Sequence, residues 1–152
     1  LLYTGVAMLE AQKTFSVGRG TDAPFEQIGA DWIEGRQLSA YLNTRFIPGL
    51  RTYPTSFQPA SSNFEGKLIS GVRFVITDRE AFNPARLGLE IAAALQKLYP
   101  AKLDLDVNKR LIGSQSVVDS LKRGDDPRVI FERTEGEKEK YLARRARFLL
   151  YK

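Results

Sequence analysis

The chain has 152 residues, 43% of them hydrophobic and 27% charged, with a net charge of +5. That is enough for one domain with a real core. It contains no cysteine and no histidine, which excludes disulfides, thiol nucleophiles, Ser-His-Asp and Cys-His arrangements and most transition-metal sites. Any acid–base chemistry falls to Asp, Glu, Tyr, Lys or water, and the composition calls for no metal and no cofactor.

No apolar run is long enough to span a bilayer. The chain starts at Leu1 without a methionine, so the expectation is one domain excised from a longer protein. Residues 1–60 balance acid and base, and the surplus charge lies beyond them. Much of it is at the end, in Lys138, Lys140, Arg144, Arg145, Arg147 and Lys152. There it alternates with Glu132, Glu135, Glu137 and Glu139, the pattern of a solvated helix face with i,i+4 pairs. A nucleic-acid partner would rest on charge alone, with no basic–aromatic motif behind it.

In chain order, Tyr3 to Glu10 reads as a short buried strand carrying Val6, Met8 and Leu9. A polar, glycine-rich loop follows from Gln12 to Ala23. Pro24 suits the first turn of a short helix with Phe25 and Ile28 on its inner side, ended by Gly29. A clearer helix is predicted from Gly35 to Phe46, with Leu38, Tyr41, Leu42 and Phe46 at helical spacing and Pro48-Gly49 as its stop. Leu50 to Phe57 reads as extended, and Pro54 makes it an edge strand or irregular segment.

Lys67 to Asp78 is a strand with Leu68, Val72, Phe74 and Ile76 on one face. Asn83-Pro84 caps a helix to Tyr99 with the stripe Leu87, Ile91, Leu95 and Leu98. Short helices follow over Asp104–Leu111, Ser114–Arg123 and Asp126–Arg133. Thr134-x-x-Glu137 reads as the capping box of a separate last helix, whose Tyr141, Leu142, Phe148 and Leu149 would dock on the core. The fold class is α+β: a small mixed or antiparallel sheet with helices packed around it and a mostly helical C-terminal part.

The sharpest local signal is Ser16-Val17-Gly18-Arg19-Gly20-Thr21. Its glycines permit positive φ and close approach to a ligand, and Arg19 offers a planar fork of donors for a carboxylate or phosphate. Without a function, it is a tight turn whose arginine caps a helix or pairs with Asp22 or Glu26. It is neither a Walker loop nor a dinucleotide fingerprint. Glu10, at the end of the first predicted strand, is a candidate for a sugar or acid–base contact, or else a solvated terminus. Glu26 suits a helix first turn. Asp78 and Arg79 end the best strand, as a structural ion pair or as part of the same cleft. Trp32, Tyr41, Tyr53 and Phe57 are either core or sugar-stacking surfaces.

The order of several stretches resembles one bacterial family. They are Gly5-Val6-Ala7-Met8-Leu9-Glu10, then Ser16 to Thr21 with Pro24-Phe25-Glu26-Gln27-Ile28-Gly29-Ala30, and Trp32-Ile33. Pro48-Gly49-Leu50-Arg51, Phe57-Gln58-Pro59, Gly71-Val72, Val75-Ile76-Thr77-Asp78-Arg79, Phe82 and Leu87-Gly88-Leu89 follow, closed by Arg147-Phe148-Leu149-Leu150-Tyr151. The family was first described as domain of unknown function 1343 and is now glycoside hydrolase family 171, the exo-β-N-acetylmuramidases of the NamZ type.

The resemblance implies the smaller C-terminal domain of a two-domain, exported enzyme that releases N-acetylmuramic acid from peptidoglycan fragments. An N-terminal Rossmann-like domain would be its partner and would supply the principal catalytic carboxylate across an interdomain cleft, outside the cell or in the periplasm. Glu10, Ser16, Arg19, Gly20, Thr21, Glu26, Asp78 and Arg79 become the expected substrate-binding residues, with Glu10 also a possible catalytic group. The chain departs from the pattern at Val17, where many members carry Glu. The alternative is a non-catalytic module that binds cell-wall glycan or joins domains.

Overall fold

The structure is a computed structural model and describes residues 1–149. Its only sheet among those residues has three antiparallel strands in the order β1-β3-β2: β1 (Gln27–Ala30), β2 (Leu50–Phe57) and β3 (Ile69–Ile76). Six α-helices accompany it: α1 (Leu2–Ala7), α2 (Gly35–Thr44), α3 (Pro84–Leu98), α4 (Lys109–Ile112), α5 (Gln115–Arg123) and α6 (Pro127–Arg145). The α+β expectation holds, with the antiparallel alternative realised and the C-terminal part helical.

β3 lies at the centre. Val72 pairs with Ile28 on one side and with Pro54 on the other. Val72 and Phe74 point into the core, as their parity demands, while Val75 is largely exposed. Leu68, expected on the buried face, stands just before the strand and is exposed. β2 is the edge strand that Pro54 implied. α2 closes part of its open side: Asn43 Nδ2 donates to the Thr52 carbonyl at 2.9 Å, and Thr52 N–H donates to Asn43 Oδ1 at 3.1 Å. Side-chain cover of this kind keeps an edge from pairing with another chain.

α3 is the central helix. Asn83 caps it, its Oδ1 accepting from Arg86 N–H at 3.1 Å, with Pro84 at the first helical position. Leu87, Ile91 and Leu95 are fully buried. α1, α2, α5 and α6 all pack against it. α2 ends at Thr44, two residues before the predicted limit. Phe46 leaves the predicted stripe with φ of 50° and an exposed ring.

Three expected elements are corrected. Residues 2–7 are helical, not a strand. Val6 and Leu9 bury one face at helical spacing, and Gly5 lies so close to α3 that a Cβ there would meet the Pro84 carbonyl at 2.3 Å. A short apolar run fits either structure by pattern alone. Pro24-Phe25-Glu26 is a turn, not a helix: Phe25 has φ of 62°, its N–H is drawn to the Val17 carbonyl at 2.8 Å, and β1 begins two residues later. Finally, α6 runs unbroken through Thr134. The Thr134 hydroxyl donates back to the Phe131 carbonyl at 2.7 Å within the helix, so the capping box goes unused. The expected docking of Tyr141, Leu142, Phe148 and Leu149 does not occur, since all four are exposed. Leu150, Tyr151 and Lys152 lie outside the described residues.

Where α2, α3 and α6 meet lies a buried charge cluster. Glu90, 1% exposed, accepts from Arg45 Nε at 2.7 Å and Nη2 at 3.4 Å, with Arg86 Nε 3.8 Å away. Arg45 Nη2 also donates to Asp126 Oδ1 at 2.7 Å. The cluster ties the end of α2 to α3 and to the cap of α6.

Candidate functional site

The glycine loop is built into the sheet. Ser16 and Gly29 exchange both backbone bonds, 16 N–H to 29 O at 2.8 Å and 29 N–H to 16 O at 3.0 Å, which adds one antiparallel bridge outside β1. The β2–β3 connection covers the loop's other side. Gly20 O accepts from Ala60 N–H at 2.8 Å, and Asn63 Nδ2 donates to the carbonyls of Gln12 and Phe15 at 2.8 and 2.9 Å. Gly20 has φ of +76°, and a Cβ there would lie 2.5 Å from the Ser61 carbonyl, so this position requires glycine on both counts.

The hydroxyls of the loop serve its own shape. Ser16 is buried, and its Oγ accepts from Gly18 N–H at 3.2 Å. Thr21 Oγ1 donates to the Gly18 carbonyl at 2.6 Å and accepts from Ala23 N–H at 3.1 Å and Gln27 Nε2 at 2.9 Å. A hydroxyl has one donor and two acceptor positions, so Thr21 is saturated. Val17 is buried beneath the loop.

Arg19 is what the loop presents. Its Nε donates to Glu10, and its guanidinium carbon stands 4.9 Å from the centre of the Phe25 ring. Phe25 meets Tyr3 edge-on at 4.5 Å. The partner of Arg19 is therefore Glu10, not Asp22 or Glu26. Half of the Arg19 side chain is exposed, and among the described residues its terminal nitrogens have no hydrogen-bond partner. The Glu10 hydrogen bond, and next its charge, raise the guanidinium pKa further above its ordinary value. Glu10 follows α1 in a turn rather than ending a strand.

A shallow hollow of about 290 Å³ adjoins the same aromatics, lined by Leu1, Leu2, Tyr3, Pro24, Phe25, Glu26, Ile76 and Arg79. Glu26 is paired with Arg73 at 3.0 Å across its rim. Arg79 is exposed and has no ion pair among the described residues, so the expected Asp78–Arg79 pair does not form. Asp78 is occupied by a turn, its Oδ1 accepting from the N–H groups of Glu80 and Ala81 at 2.9 and 3.2 Å.

Phe25 is common to the two groups: its ring carries Arg19, which Glu10 holds, and it lines the hollow with Glu26 and Arg79. Tyr3 is the exposed aromatic here, hidden because the pattern assigned it to a buried strand, while Phe25 is 7% exposed and belongs to the core, as expected of its inner side. The four aromatics singled out from the sequence have other duties. Trp32 Nε1 donates to the Thr14 carbonyl at 2.8 Å, Phe57 packs on Gly29, Tyr41 lies under Lys97, and Tyr53 is exposed opposite Arg73.

Comparison with known proteins gives a consistent result. A family model described as the C-terminal part of the exo-beta-N-acetylmuramidase NamZ matches residues 1–151. The peptidoglycan beta-N-acetylmuramidase NamZ of Bacillus subtilis (strain 168) is 29% identical over 153 residues, covering 99% of this chain and 37% of the relative. Two crystal structures of DUF1343 family proteins from Bacteroides fragilis NCTC 9343 share the fold. One has a TM-score of 0.82 at 20% identity, and the other 0.69 at 21%. Each covers 99% of this chain, which in turn covers 41% and 40% of their lengths. The chain therefore spans about two fifths of the relatives it matches. With the match running from the first helix into the closing segment, the chain belongs to the NamZ C-terminal domain family.

Proposed function

We propose that this chain is the substrate-binding C-terminal domain of a peptidoglycan exo-β-N-acetylmuramidase, and that Arg19 takes the lactyl carboxylate of N-acetylmuramic acid. The supporting observation is the Glu10–Arg19–Phe25 arrangement. One edge of the guanidinium is fixed by Glu10 and one face by an aromatic ring, which leaves the terminal nitrogens to grip a carboxylate in a planar, two-pronged way. Glu10 then positions Arg19. The acid–base carboxylates come from a preceding Rossmann-like domain that faces this surface across the cleft. Tyr3, Phe25, Glu26 and Arg79 form the wall beside the sugar, while Ser16, Gly20, Thr21 and Asp78 shape the backbone that carries it. Action on peptidoglycan places the enzyme outside the cytoplasmic membrane, and no helix among the described residues is long and apolar enough to cross one.

The test is Arg19→Ala in the intact two-domain polypeptide, assayed on a muramic acid glycoside and on the matching N-acetylglucosamine glycoside, which lacks the lactyl group. A lost charge-assisted contact costs about 1.5–3 kcal/mol, so kcat/KM on the muramic substrate should fall about 10- to 150-fold, with the second substrate unaffected. An unchanged kcat/KM on the muramic substrate, or an equal loss on both, refutes the assignment.

A further inference from the structure

A larger hollow, about 460 Å³, lies where α2, α3 and α5 end and α6 begins. Its wall includes Tyr41, Arg45, Gln96, Lys97, Arg123 and Asp126. We propose that this hollow binds a short acidic peptide through its carboxylates, independently of the Arg19 surface.

Three helices bring cations to the same place: Arg45 just after α2, Lys97 in the last turn of α3, and Arg123 in the last turn of α5. Arg45 and Arg123 are already oriented. Arg45 is held by Glu90 and Asp126, and Arg123 Nη2 donates to Ser120 Oγ at 2.9 Å and Asp125 Oδ2 at 2.8 Å. Lys97 is different. Its ammonium lies 5.2 Å from the centre of the Tyr41 ring and meets no carboxylate among the described residues. It is the cation left for a ligand.

Size and polarity select the class. The hollow is several times larger than one inorganic phosphate and holds a few amino-acid residues. Helix C-termini bring carbonyl oxygens as well as cations, so the best-matched ligand carries N–H donors along with its carboxylates. A peptide has both, and the wall also offers its side chains the apolar groups of Ala93, Leu121 and Pro127.

The probe is the tripeptide Ala-Glu-Ala with free carboxylates, titrated into the isotopically labelled 152-residue chain and followed by amide NMR shifts. The control is Ala-Gln-Ala-amide. The expected result is saturating shifts at the amides of Lys97 and Gly124 with the acidic peptide, weakened by added salt and absent with the amide. Lys97→Gln and Arg123→Gln, both at exposed side chains, should each weaken binding about two- to fivefold, with the rest of the spectrum unchanged. No saturable shift, equal shifts from the amide control, or wild-type affinity in both variants overturns the proposal.

Discussion

Glu90→Gln removes one negative charge from the most buried ion pair while keeping the side chain's shape. Glu90 is 1% exposed and receives Arg45 at 2.7 and 3.4 Å, with Arg86 close behind. Breaking a fully buried pair by losing one partner costs about 3–5 kcal/mol, because the other charge is left uncompensated. Arg45 is 16% exposed and keeps Asp126 at 2.7 Å, which puts the expected loss near the lower end, about 3 kcal/mol. For a domain of this size that lowers Tm by about 6–12 °C. Thermal and urea unfolding followed by circular dichroism measure it, provided the transition is two-state. The paired replacement Arg45→Met with Glu90→Leu should recover most of the loss, since apolar groups of similar volume replace buried ion pairs at little cost. A Glu90→Gln protein that melts within about 2 °C of wild type, or a double variant worse than the sum of its singles, refutes the reasoning.

Three other outcomes follow from the same structure. The Arg128 guanidinium, and next Arg45, hold the Asp126 carboxyl well below the usual carboxylate range. The stability it contributes is present above the unfolded value of about 3.9 and is lost as pH falls toward the lower folded value. Asp126→Asn should therefore flatten the decline of stability with acid below about pH 4. Gly88→Ala would place a Cβ 2.4 Å from Met8 Sδ and 2.8 Å from the Gly5 carbonyl. Forcing α1 away from α3 should cost about 1–3 kcal/mol in chemical denaturation. Gly136 sits inside α6 with open space around it, so Gly136→Ala should stabilise by about 0.5–1 kcal/mol and raise helicity in far-ultraviolet circular dichroism.

Elements with long, consistent patterns were readable in the sequence. The Asn83-Pro84 cap, the Leu87–Ile91–Leu95 stripe and the alternation of Val72 and Phe74 each had local signals that agreed with the fold. Pro54 marked the edge strand for a reason that survives packing, the missing N–H. The failures came where a distant contact decided between local options. Leu2 to Ala7 became helical because Gly5 and Gly88 let two helices approach closely, 83 residues apart in the chain. Phe25 took a positive φ because Val17 and β1 claimed its backbone. Arg19 found Glu10 rather than its nearer acids once α1 turned Glu10 toward the loop. The Arg45–Glu90–Asp126 cluster did leave a trace: Glu90 is a carboxylate three residues after Leu87, on the apolar side of α3, and so demands a buried cation. Its partner, from another helix, could not be named without the fold.

The double hydrogen bond between Ser16 and Gly29 sets a kinetic character for the loop that carries Arg19. Those amides are part of the sheet and should exchange with solvent only when the sheet itself opens. A loop so held does not close over a ligand, and no ordering entropy is charged to the binding step. Ligand capture should then depend on encounter alone, with differences among ligands appearing in their dissociation rates.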